Sequence, residues 1–445
     1  MFFEHYPPMD PLLASWGMEP RHRRDLALPG PWPACAQGLL RQGSAWLHTG
    51  LQRGDDEGGD LLALPGGPVL ASHWASGAWR TTLDDQPVLG SPWEALEAHL
   101  GLGPWIGGAT YELACAEAGL PHKAPESGSL GMRWQAARTV IRVKDGHAGL
   151  WGFGATPPVP PDLGPACALQ RVRGGLSPRW DEATHHAAVE TIRNLIREGA
   201  FYVANLCVPF EGPFKGDPIT LALAAFRRAK PPYGAFLDLG DRHLLCLSME
   251  RLLSRRGDQL RSEPIKGTVP LVGDKAIDAA AGQSLAADPK EHAEHAMIVD
   301  LVRNDLGRVS TAGSVQVPRF MEVERFPTVQ HLVSRVEATA RPGLGLAELL
   351  RSALPGGSVT GAPKHAVCDH LARVEAAPRD FYCGALGWIG TDGGMDLALP
   401  IRTAEVREDR ITYWAGGGIT FLSDAAKEWR EMEIKTRVIA GTLEP

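Results

Sequence analysis

A proline-rich segment, ATPPVPPDLGPA at residues 155 to 166, divides the chain into two parts with different sequence patterns. Proline fixes its own φ angle and has no backbone N–H, so this segment cannot form the interior of a helix or a central strand. We interpret it as a loop between an N-terminal part, residues 1 to 154, and a C-terminal part, residues 167 to 445. A chain of 445 residues is long enough for two domains or for one large layered α/β domain.

The two parts differ in the secondary structure that their patterns predict. The N-terminal part alternates short apolar runs with Gly and Pro, as β-rich regions do. In the C-terminal part, apolar residues at helical spacing predict a helix from about Ser177 to Gly199, and FYVANLCVPF predicts a buried strand. Further on, HLLCLSMERLLSRR and QLRSEPIKGTV predict a β-hairpin with its turn at 256 to 258. That hairpin would place Glu250 opposite the segment around Pro264.

Two further helices are predicted in the second half of the chain. The stretch from Lys290 to Leu306 has helical periodicity with its acidic residues early, where the helix dipole favours them. ITYWAGGGIT predicts a strand running into glycines, and SDAAKEWREMEIKTRVIAG predicts a helix that Ser423 caps. The run 416 to 418 therefore falls between a strand and a helix, where bare glycine amides can approach an anion, although a plain turn explains it equally well. PGGSVTGAP, at 355 to 363, has the same two interpretations.

Charge and composition argue against several classes of protein. A net charge of -7 disfavours nucleic-acid binding, which usually requires a basic surplus. No apolar run reaches about 18 residues, so we expect no membrane span. The N-terminus MFFEHYPPMD has an early acid and two prolines where an export signal requires a basic and then an apolar region. The seven cysteines are scattered singly, so we expect buried or incidental thiols in a cytoplasmic protein.

Two Glu-x-x-Glu pairs are candidates for a metal site. Glu291 pairs with Glu294 on one predicted helix, and Glu428 pairs with Glu431 on another. Residues three apart share a helix face, so each pair can present two carboxylates to one point. If the two faces meet, four like charges converge, and a cation is then needed between them. Oxygen-only ligands favour Mg²⁺ over zinc or copper. Exposed, solvated helix faces are the alternative interpretation.

Lys266 and Glu250 are candidates for nucleophilic and acid–base chemistry. Lys266 lies in SEPIKGTVP at the end of a predicted strand, and a partly desolvated lysine becomes a nucleophile or base. Glu250 follows an apolar strand, where burial would raise its pKa and suit it to donating a proton. The alternatives are a surface lysine, and a glutamate paired with Arg251 or Arg255.

His331 and Arg402 are polar residues in apolar settings, VQHLVS and LPIRT. A buried polar side chain requires a partner, which is either another protein group or a ligand. For His331 a satisfied role in the core is the alternative to a role in a site.

A series of motifs in fixed order characterises the C-terminal part. It runs from SMERL at 248 to 252 through EPIKGT at 263 to 268, AEHAMIVDLVRNDLGRV at 293 to 309, QHLVS, LPGGSVTGAPK, YCGALGW, IRT and AGGGI to SDxxxEWxE. Taken together these motifs resemble the chorismate-binding enzyme family, which includes anthranilate, aminodeoxychorismate, isochorismate and salicylate synthases. The resemblance implies an α+β fold, with a two-sheet β-sandwich core flanked by helices, as in anthranilate synthase large subunits. Both parts of the chain would build it.

The residue before Gly-Thr indicates which reaction the resemblance implies. PIAGT resembles anthranilate synthases, whereas PIKGT, with Lys266, resembles the aminodeoxychorismate synthases of 4-aminobenzoate and folate biosynthesis. By that resemblance Lys266 attacks C2 of chorismate as the C4 hydroxyl leaves, and ammonia then enters at C4 and expels the lysine. Glu250 occupies the family's acid/base position and would protonate the departing hydroxyl.

The resemblance also implies a cofactor and substrate contacts. Glu294 and Glu431 match the family's Mg²⁺ ligands, with Glu291 and Glu428 supporting them. Further residues match positions that bind the carboxylates of the substrate or line the site, and these are Arg402, Tyr382, Gly417, Gly418, Thr360 and His331. An arginine suits a carboxylate because it can donate two parallel hydrogen bonds.

Two alternatives remain at this point, and a partner protein is implied. Val203 stands where relatives have Gln or Lys, which weakens the isochorismate interpretation because valine cannot act as a base. The alternatives are an anthranilate synthase component I and a catalytically idle chorismate-binding protein. None of the cysteines lies in a glutaminase motif, so the resemblance implies a separate glutamine amidotransferase that supplies ammonia. The sequence indicates neither the contact surface nor the oligomeric state, nor whether the N-terminal part binds a regulatory amino acid such as tryptophan.

Overall fold

The computed structural model describes most of the chain, namely residues 22–26, 40, 45–48, 59–64, 66–144, 147–154, 171–326 and 328–443. The loop predicted at 155 to 166 lies outside these residues, so its structure stays a prediction. None of the helices described is both long enough and apolar enough to cross a membrane.

Strands dominate the described N-terminal part, as its sequence pattern predicts. They are β1 (His22–Leu26), β2 (Ala45–His48), β3 (Asp60–Leu64), β4 (Val69–Ala75), β5 (Ala78–Leu83), β6 (Gln86–Pro87), β7 (Trp105–Ala109), β8 (Leu130–Ala136), β9 (Thr139–Lys144) and β10 (His147–Gly152). Two short helices interrupt them, α1 (Pro92–Ala98) and α2 (Tyr111–Glu117).

The C-terminal part mixes strands and helices. Its strands are β11 (Arg173–Gly174), β12 (Ser177–Pro178), β13 (Val203–Lys215), β14 (Tyr233–Asp238), β15 (His243–Ser248), β16 (Arg251–Arg256), β17 (Gln259–Glu263), β18 (Ile265–Pro270), β19 (Gln316–Arg325), β20 (Val329–Thr339), β21 (Gly361–Ala362), β22 (Ala385–Ile389), β23 (Met395–Ala398), β24 (Thr403–Arg407) and β25 (Arg410–Ile419). Its helices are α3 (Glu182–Arg197), α4 (Pro218–Ala229), α5 (Lys275–Ala287), α6 (Pro289–Gly307), α7 (Leu346–Ala353), α8 (Lys364–Val374) and α9 (Ala425–Ala440).

In the described part of the chain these strands form two sheets, and each sheet takes strands from both sides of the proline-rich segment. Sheet 1 runs β1-β10-β9-β3-β2-β14-β15-β24-β25-β13-β11, with β12 and β21 also paired to β13. Sheet 2 runs β18-β20-β17-β16-β23-β22-β7-β8-β4-β5-β6, with β19 paired to β20. The strand pairs are antiparallel throughout these two orders, for example Phe236 opposite Leu245 in sheet 1.

Apolar side chains from both sheets pack between them and form a sandwich core. Leu61, Leu237 and Leu244 of sheet 1 share one buried cluster with Ile106 and Trp388 of sheet 2. Helices cover the outer faces of both sheets, because further buried clusters join sheet 1 to α4 and α9, and sheet 2 to α1, α2, α6 and α7. The architecture is therefore α+β, a two-sheet sandwich flanked by helices, as the family resemblance implies.

Aspartate residues cap the N-termini of α6 and α9, the two helices that carry the predicted Glu-x-x-Glu pairs. Asp288 Oδ1 accepts hydrogen bonds from the first amides of α6, and Asp424 Oδ1 accepts one from Lys427 N at 2.9 Å at the start of α9. The prediction that Ser423 caps α9 is therefore wrong. Ser423 Oγ accepts a hydrogen bond from Thr420 N at 3.1 Å and stabilises the preceding turn. Two consecutive residues each had the side chain of a good cap, and the sequence did not distinguish them.

The predicted hairpin forms, but its first arm is two strands in different sheets. β16 and β17 pair with Arg251 opposite Glu263, which leaves Glu250 next to the Pro264 segment as predicted. β15 belongs to sheet 1 and β16 to sheet 2, so the chain crosses the sandwich at Met249 and Glu250. Ser248 Oγ accepts a hydrogen bond from Glu250 N at 3.1 Å across this break. Apolar residues on both sides of the break made it appear continuous in sequence.

Of the two interpretations of the glycine run 416 to 418, the plain turn is wrong, because the run is part of a strand. All three residues extend β25 and pair with Cys207, Leu206 and Asn205 of β13. A Cβ atom at Gly416 would lie 2.3 Å from Leu206 O, so glycine is needed there for the two strands to approach.

Candidate active site

The candidate site lies at the end of the sandwich where the chain crosses twice between the sheets. Glu250 lies on the crossing from β15 to β16, and Arg402 lies on the crossing from β23 to β24. Both face one cavity of about 120 Å³, which also receives side chains from α6, α9, β18, β20 and β25. Residues distant in sequence meet here because strands of both sheets end at the same place.

Lys266 and Glu250 line this cavity together. Lys266 is on β18, where it pairs with Leu332 of β20, and its Nζ lies 3.4 Å from Ser358 O. The Glu250 side chain is buried, and its Oε1 accepts a hydrogen bond of 2.6 Å from Ser358 Oγ. Burial raises the pKa of Glu250 to about 7, although the Ser358 hydroxyl and the Lys266 charge act in the opposite direction. The acid form is therefore well populated near neutral pH.

The alternative partners proposed for Glu250 bind elsewhere. Arg251 Nε donates to Asp396 Oδ1 at 2.9 Å, and Arg251 also pairs with Glu263. Arg255 Nε donates to Gly257 O at 3.0 Å.

His331 is buried at the cavity wall with both ring nitrogens in contact with protein groups. Its Nδ1 lies 2.8 Å from Gly267 O, which accepts a hydrogen bond only if Nδ1 carries the proton. Its Nε2 lies 3.3 Å from Met249 Sδ. The ring therefore connects β20 to the strand that carries Lys266, and it lines the cavity at the same time.

The four predicted carboxylates come together at the cavity. Glu291 and Glu294 of α6 face Glu428 and Glu431 of α9 across it. Glu294 and Glu428 are buried, so the solvated-face interpretation is wrong for these two. Burial, followed by the charge of Glu294, raises the pKa of Glu291 to about 7, and burial also raises the pKa of Glu294.

Two lysines supply positive charge at these carboxylates. Lys290 Nζ lies 3.3 Å from Glu428 Oε1 and 3.7 Å from Glu294 Oε1. Lys435 Nζ lies 2.9 Å from Glu431 Oε1, and its charge lowers the pKa of that carboxyl.

The donor chemistry of this carboxylate cluster fits Mg²⁺. Its members provide only oxygen atoms, which a hard cation prefers, and their mutual repulsion favours a cation. Within the described ranges no three side chains of His, Cys, Asp or Glu are grouped closely enough to hold a metal ion. Lys290 bridges Glu294 of α6 and Glu428 of α9, so its side chain would have to move for these carboxylates to hold a metal ion.

The glycines of β25 leave room for the charged groups. A Cβ atom at Gly418 would lie 3.2 Å from Lys266 Nζ and 3.6 Å from Glu294 Oε2. A Cβ atom at Gly417 would lie 3.2 Å from Glu428 Oε2. These two positions therefore form the floor of the cavity beneath the lysine and the carboxylates.

Arg402 and Tyr382 form the opposite wall of the cavity. Arg402 has a φ of 51°, a left-handed conformation that is uncommon for a residue with a side chain. Within the described part of the chain its guanidinium has no hydrogen-bond or ion-pair partner, although it lines the cavity. The ring of Tyr382 stacks on Trp414 with centroids 6.1 Å apart. A half-buried arginine without a partner is suited to bind an anion.

One predicted residue lies elsewhere, and sequence reasoning missed several that line the cavity. Thr360 is fully buried outside the cavity lining, and its Oγ1 donates to Gly356 O at 2.9 Å. Among the lining residues that were missed are four with polar side chains, Asn205, Lys290, Ser358 and Lys435. Both lysines are four residues from a predicted carboxylate, Lys290 from Glu294 and Lys435 from Glu431, and that spacing would have indicated them.

Comparison with known proteins gives matches that cover the described site. A family model described as chorismate binding enzyme matches residues 79–441. Aminodeoxychorismate synthase component 1 of Klebsiella aerogenes is 40% identical over 253 residues, which are 57% of this chain and 56% of that protein. Anthranilate synthase component 1 of Haloarcula marismortui is 38% identical over 257 residues, 58% of this chain and 52% of that protein. The chain thus spans about half the length of these curated relatives.

A solved structure extends the likeness over nearly the whole chain. Anthranilate synthase component I from Streptococcus pneumoniae has a TM-score of 0.73 and 25% sequence identity, with 97% of each chain covered. The family model covers most of the chain, and the residues that it spans carry the cavity and its charged groups. The chain therefore belongs to the chorismate-binding enzyme family.

Proposed function

We propose that the chain is the chorismate-binding component of an aminodeoxychorismate synthase and converts chorismate and ammonia to 4-amino-4-deoxychorismate. The observation that carries this proposal is Lys266, which lines the cavity beside the buried acid Glu250. An amine and a protonated carboxyl in one cavity suit a reaction that displaces a hydroxyl group. Relatives named aminodeoxychorismate synthase at about 40% identity support the same choice.

The proposed reaction is two substitutions that share one proton donor. The neutral amine of Lys266 attacks C2 of the ring, the double bond shifts, and the C4 hydroxyl leaves as water with a proton from Glu250. Ammonia then attacks C4, the double bond shifts back, and Lys266 leaves as the neutral amine. The Glu250 carboxylate takes the surplus proton from the new ammonium group and returns to its acid form.

Charged groups at the two ends of the cavity would hold the dianionic substrate. The unpaired guanidinium of Arg402 would bind one carboxylate through parallel hydrogen bonds. We propose that Glu291, Glu294, Glu428 and Glu431 hold Mg²⁺, which when bound would neutralise the other carboxylate and make the ring more electrophilic.

We propose that ammonia comes from a separate glutamine amidotransferase subunit. The five cysteines in the described residues are free and buried, so none of these thiols is placed to attack glutamine from solvent. The designation component 1 of several relatives is consistent with a second component.

An anthranilate synthase component is the second candidate. The solved anthranilate synthase component I that covers 97% of the chain favours it, whereas Lys266 disfavours it. In that reaction ammonia would attack C2 and pyruvate would be lost.

Product analysis separates the candidates in one experiment. The purified chain is incubated with chorismate, ammonium and Mg²⁺, and the products are resolved by chromatography and mass spectrometry. We expect 4-amino-4-deoxychorismate. Anthranilate with pyruvate would establish the second candidate, and tight chorismate binding without any product would establish an idle binding protein.

A further inference from the structure

Ser358 contacts both of the residues to which the proposed reaction assigns bond changes. Its hydroxyl donates to Glu250 Oε1 at 2.6 Å, and its carbonyl oxygen accepts a hydrogen bond from Lys266 Nζ at 3.4 Å. Ser358 lines the cavity and is 7% exposed. One residue thus connects the crossing that carries Glu250 with the strand that carries Lys266.

The turn that carries Ser358 is fixed by contacts with residues outside the cavity lining. It is a single 3₁₀ turn, Gly357–Val359, and a Cβ atom at Gly357 would lie 2.7 Å from Leu301 Cδ2 of α6. Val359 O accepts a hydrogen bond of 2.7 Å from the buried guanidinium of Arg379. Glu375 in turn accepts two hydrogen bonds from the same guanidinium. The position of Ser358 is therefore fixed by groups that do not themselves line the cavity.

We propose that Ser358 is a positioning residue for this reaction. Its hydroxyl orients Glu250, and its carbonyl oxygen orients Lys266. The proposal rests on the function proposed above. Because the hydroxyl occupies Oε1, the proton of the acid form is left on Oε2, the oxygen that can donate to the departing hydroxyl group. As that proton leaves, the hydrogen bond from Ser358 strengthens on the developing carboxylate.

This role has a consequence for the titration of Glu250. The groups that face its carboxyl are the Ser358 hydroxyl, the Ile265 amide and one charged group, Lys266. A hydrogen bond to the ionised form lowers the pKa of an acid, so removal of the Ser358 hydroxyl raises the pKa of Glu250. The high-pH limb of the kcat profile, where the acid loses its proton, then moves to higher pH.

The test compares Ser358→Ala, Ser358→Cys and Ser358→Thr with the unchanged enzyme. Kinetics with chorismate are measured from pH 6 to 9 at a constant concentration of free ammonia. In Ser358→Ala we expect kcat to fall about 10- to 100-fold, as loss of one hydrogen bond to a charged group implies, with KM changed less than about twofold. The high-pH limb should move upward. Ser358→Thr keeps the hydroxyl and should keep the limb in place.

Ser358→Cys keeps the size of the side chain but donates a much weaker hydrogen bond. It should therefore move the limb in the same direction as alanine, even if the alanine variant fails to fold. A limb that stays in place in both the Ala and Cys variants, or a loss confined to KM, overturns the role of Ser358. The comparison follows consumption of chorismate, so it can be read even if product analysis shows anthranilate and the proposed function fails.

Discussion

Glu250 is buried at the point where the chain passes from one sheet to the other, and that position determines its chemistry. Solvent is replaced by the Ser358 hydroxyl, the Ile265 amide and the Lys266 charge, and burial still raises the pKa of the carboxyl to about 7. A carboxyl exposed to water would be almost fully ionised at this pH and would be a poor proton donor. Burial at the crossing between the two sheets therefore keeps a fraction of Glu250 protonated near neutral pH, so that it can donate a proton.

Glu250→Gln tests whether Glu250 acts as the proton donor. Without the proton donor, kcat should fall about 10²- to 10⁴-fold, while the dissociation constant for chorismate changes little. Glu337→Gln is the matched control, since Glu337 lies on β20, pairs with Arg261 and is not part of the cavity lining. A glutamine variant at 250 with normal kcat would contradict the acid role.

The same substitution should change how stability depends on pH. In the folded protein Glu250 keeps its proton up to about pH 7, whereas in the unfolded chain it loses the proton near pH 4.5. The wild-type free energy of unfolding should therefore decrease, through this group, as pH rises between these values. Glu250→Gln removes that decrease, so its stability relative to wild type should rise by up to about 3 kcal/mol across the window. Denaturant unfolding at pH 4.5 and pH 8 measures the difference.

Sequence reasoning identified most of the ionisable groups of the cavity and placed Glu250 beside the Pro264 segment, but it did not give the other spatial relations. Glu250 and Arg402 were recognisable because each follows apolar residues, and Lys266 was recognisable because it lies at the end of a predicted strand. Ser358 was not, because a serine in a glycine-rich segment is common in loops, and its importance comes from a carboxyl 108 residues away. Thr360, two residues further on, was chosen instead and lies outside the cavity lining.

At the scale of secondary structure, α6 and α9 place four carboxylates on two facing surfaces. Each helix is capped at its N-terminus by an aspartate, which stabilises its first turn. The Glu-x-x-Glu spacing predicted these faces, because positions three apart project in nearly the same direction. The sequence could not show that the faces meet, since that depends on how both helices pack on the sheets.

Glu294→Gln and Glu431→Gln should each weaken Mg²⁺ binding if these faces hold the ion. We expect the Mg²⁺ concentration for half-maximal activity to rise at least tenfold, because a neutral amide binds a hard cation less strongly than a carboxylate. Glu433→Gln is the control, since it changes an exposed residue of the same helix. Isothermal titration with Mg²⁺ in the absence of chorismate gives a second measurement. Unchanged profiles for both variants would remove these residues from the metal site.

In the molecule as a whole, strands from both parts of the chain build the two sheets that carry the site. β7, from before the proline-rich segment, pairs with β22, which follows Tyr382 of the cavity wall. β2 pairs with β14 in the same way in sheet 1. The alternating pattern of the N-terminal part predicted strands, but it could not predict which strands pair, because the pairing joins residues more than 180 positions apart. The two-sheet sandwich was predicted from the family resemblance and not from the pattern of residues.

The whole chain should use ammonium salts but not glutamine. Glutamine hydrolysis needs an accessible activated thiol, and the cysteines in the described residues are buried. Product formation should therefore depend on ammonium and increase with the fraction of free ammonia. Strong glutamine-dependent activity of the purified chain, with ammonium removed enzymatically, would contradict this prediction.

The proposed reaction forms a covalent bond between Lys266 and the substrate ring, and peptide mass spectrometry detects such a bond. The protein is incubated with chorismate and Mg²⁺ without ammonia, quenched in acid and digested. We expect the peptide containing Lys266 to gain the mass of chorismate less one water, and we expect this adduct to disappear when ammonium is added before the quench. Lys266→Ala should form no adduct and very little 4-amino-4-deoxychorismate. An alanine variant that makes this product at the wild-type rate would contradict the claim, because ammonia would then reach the ring without the lysine.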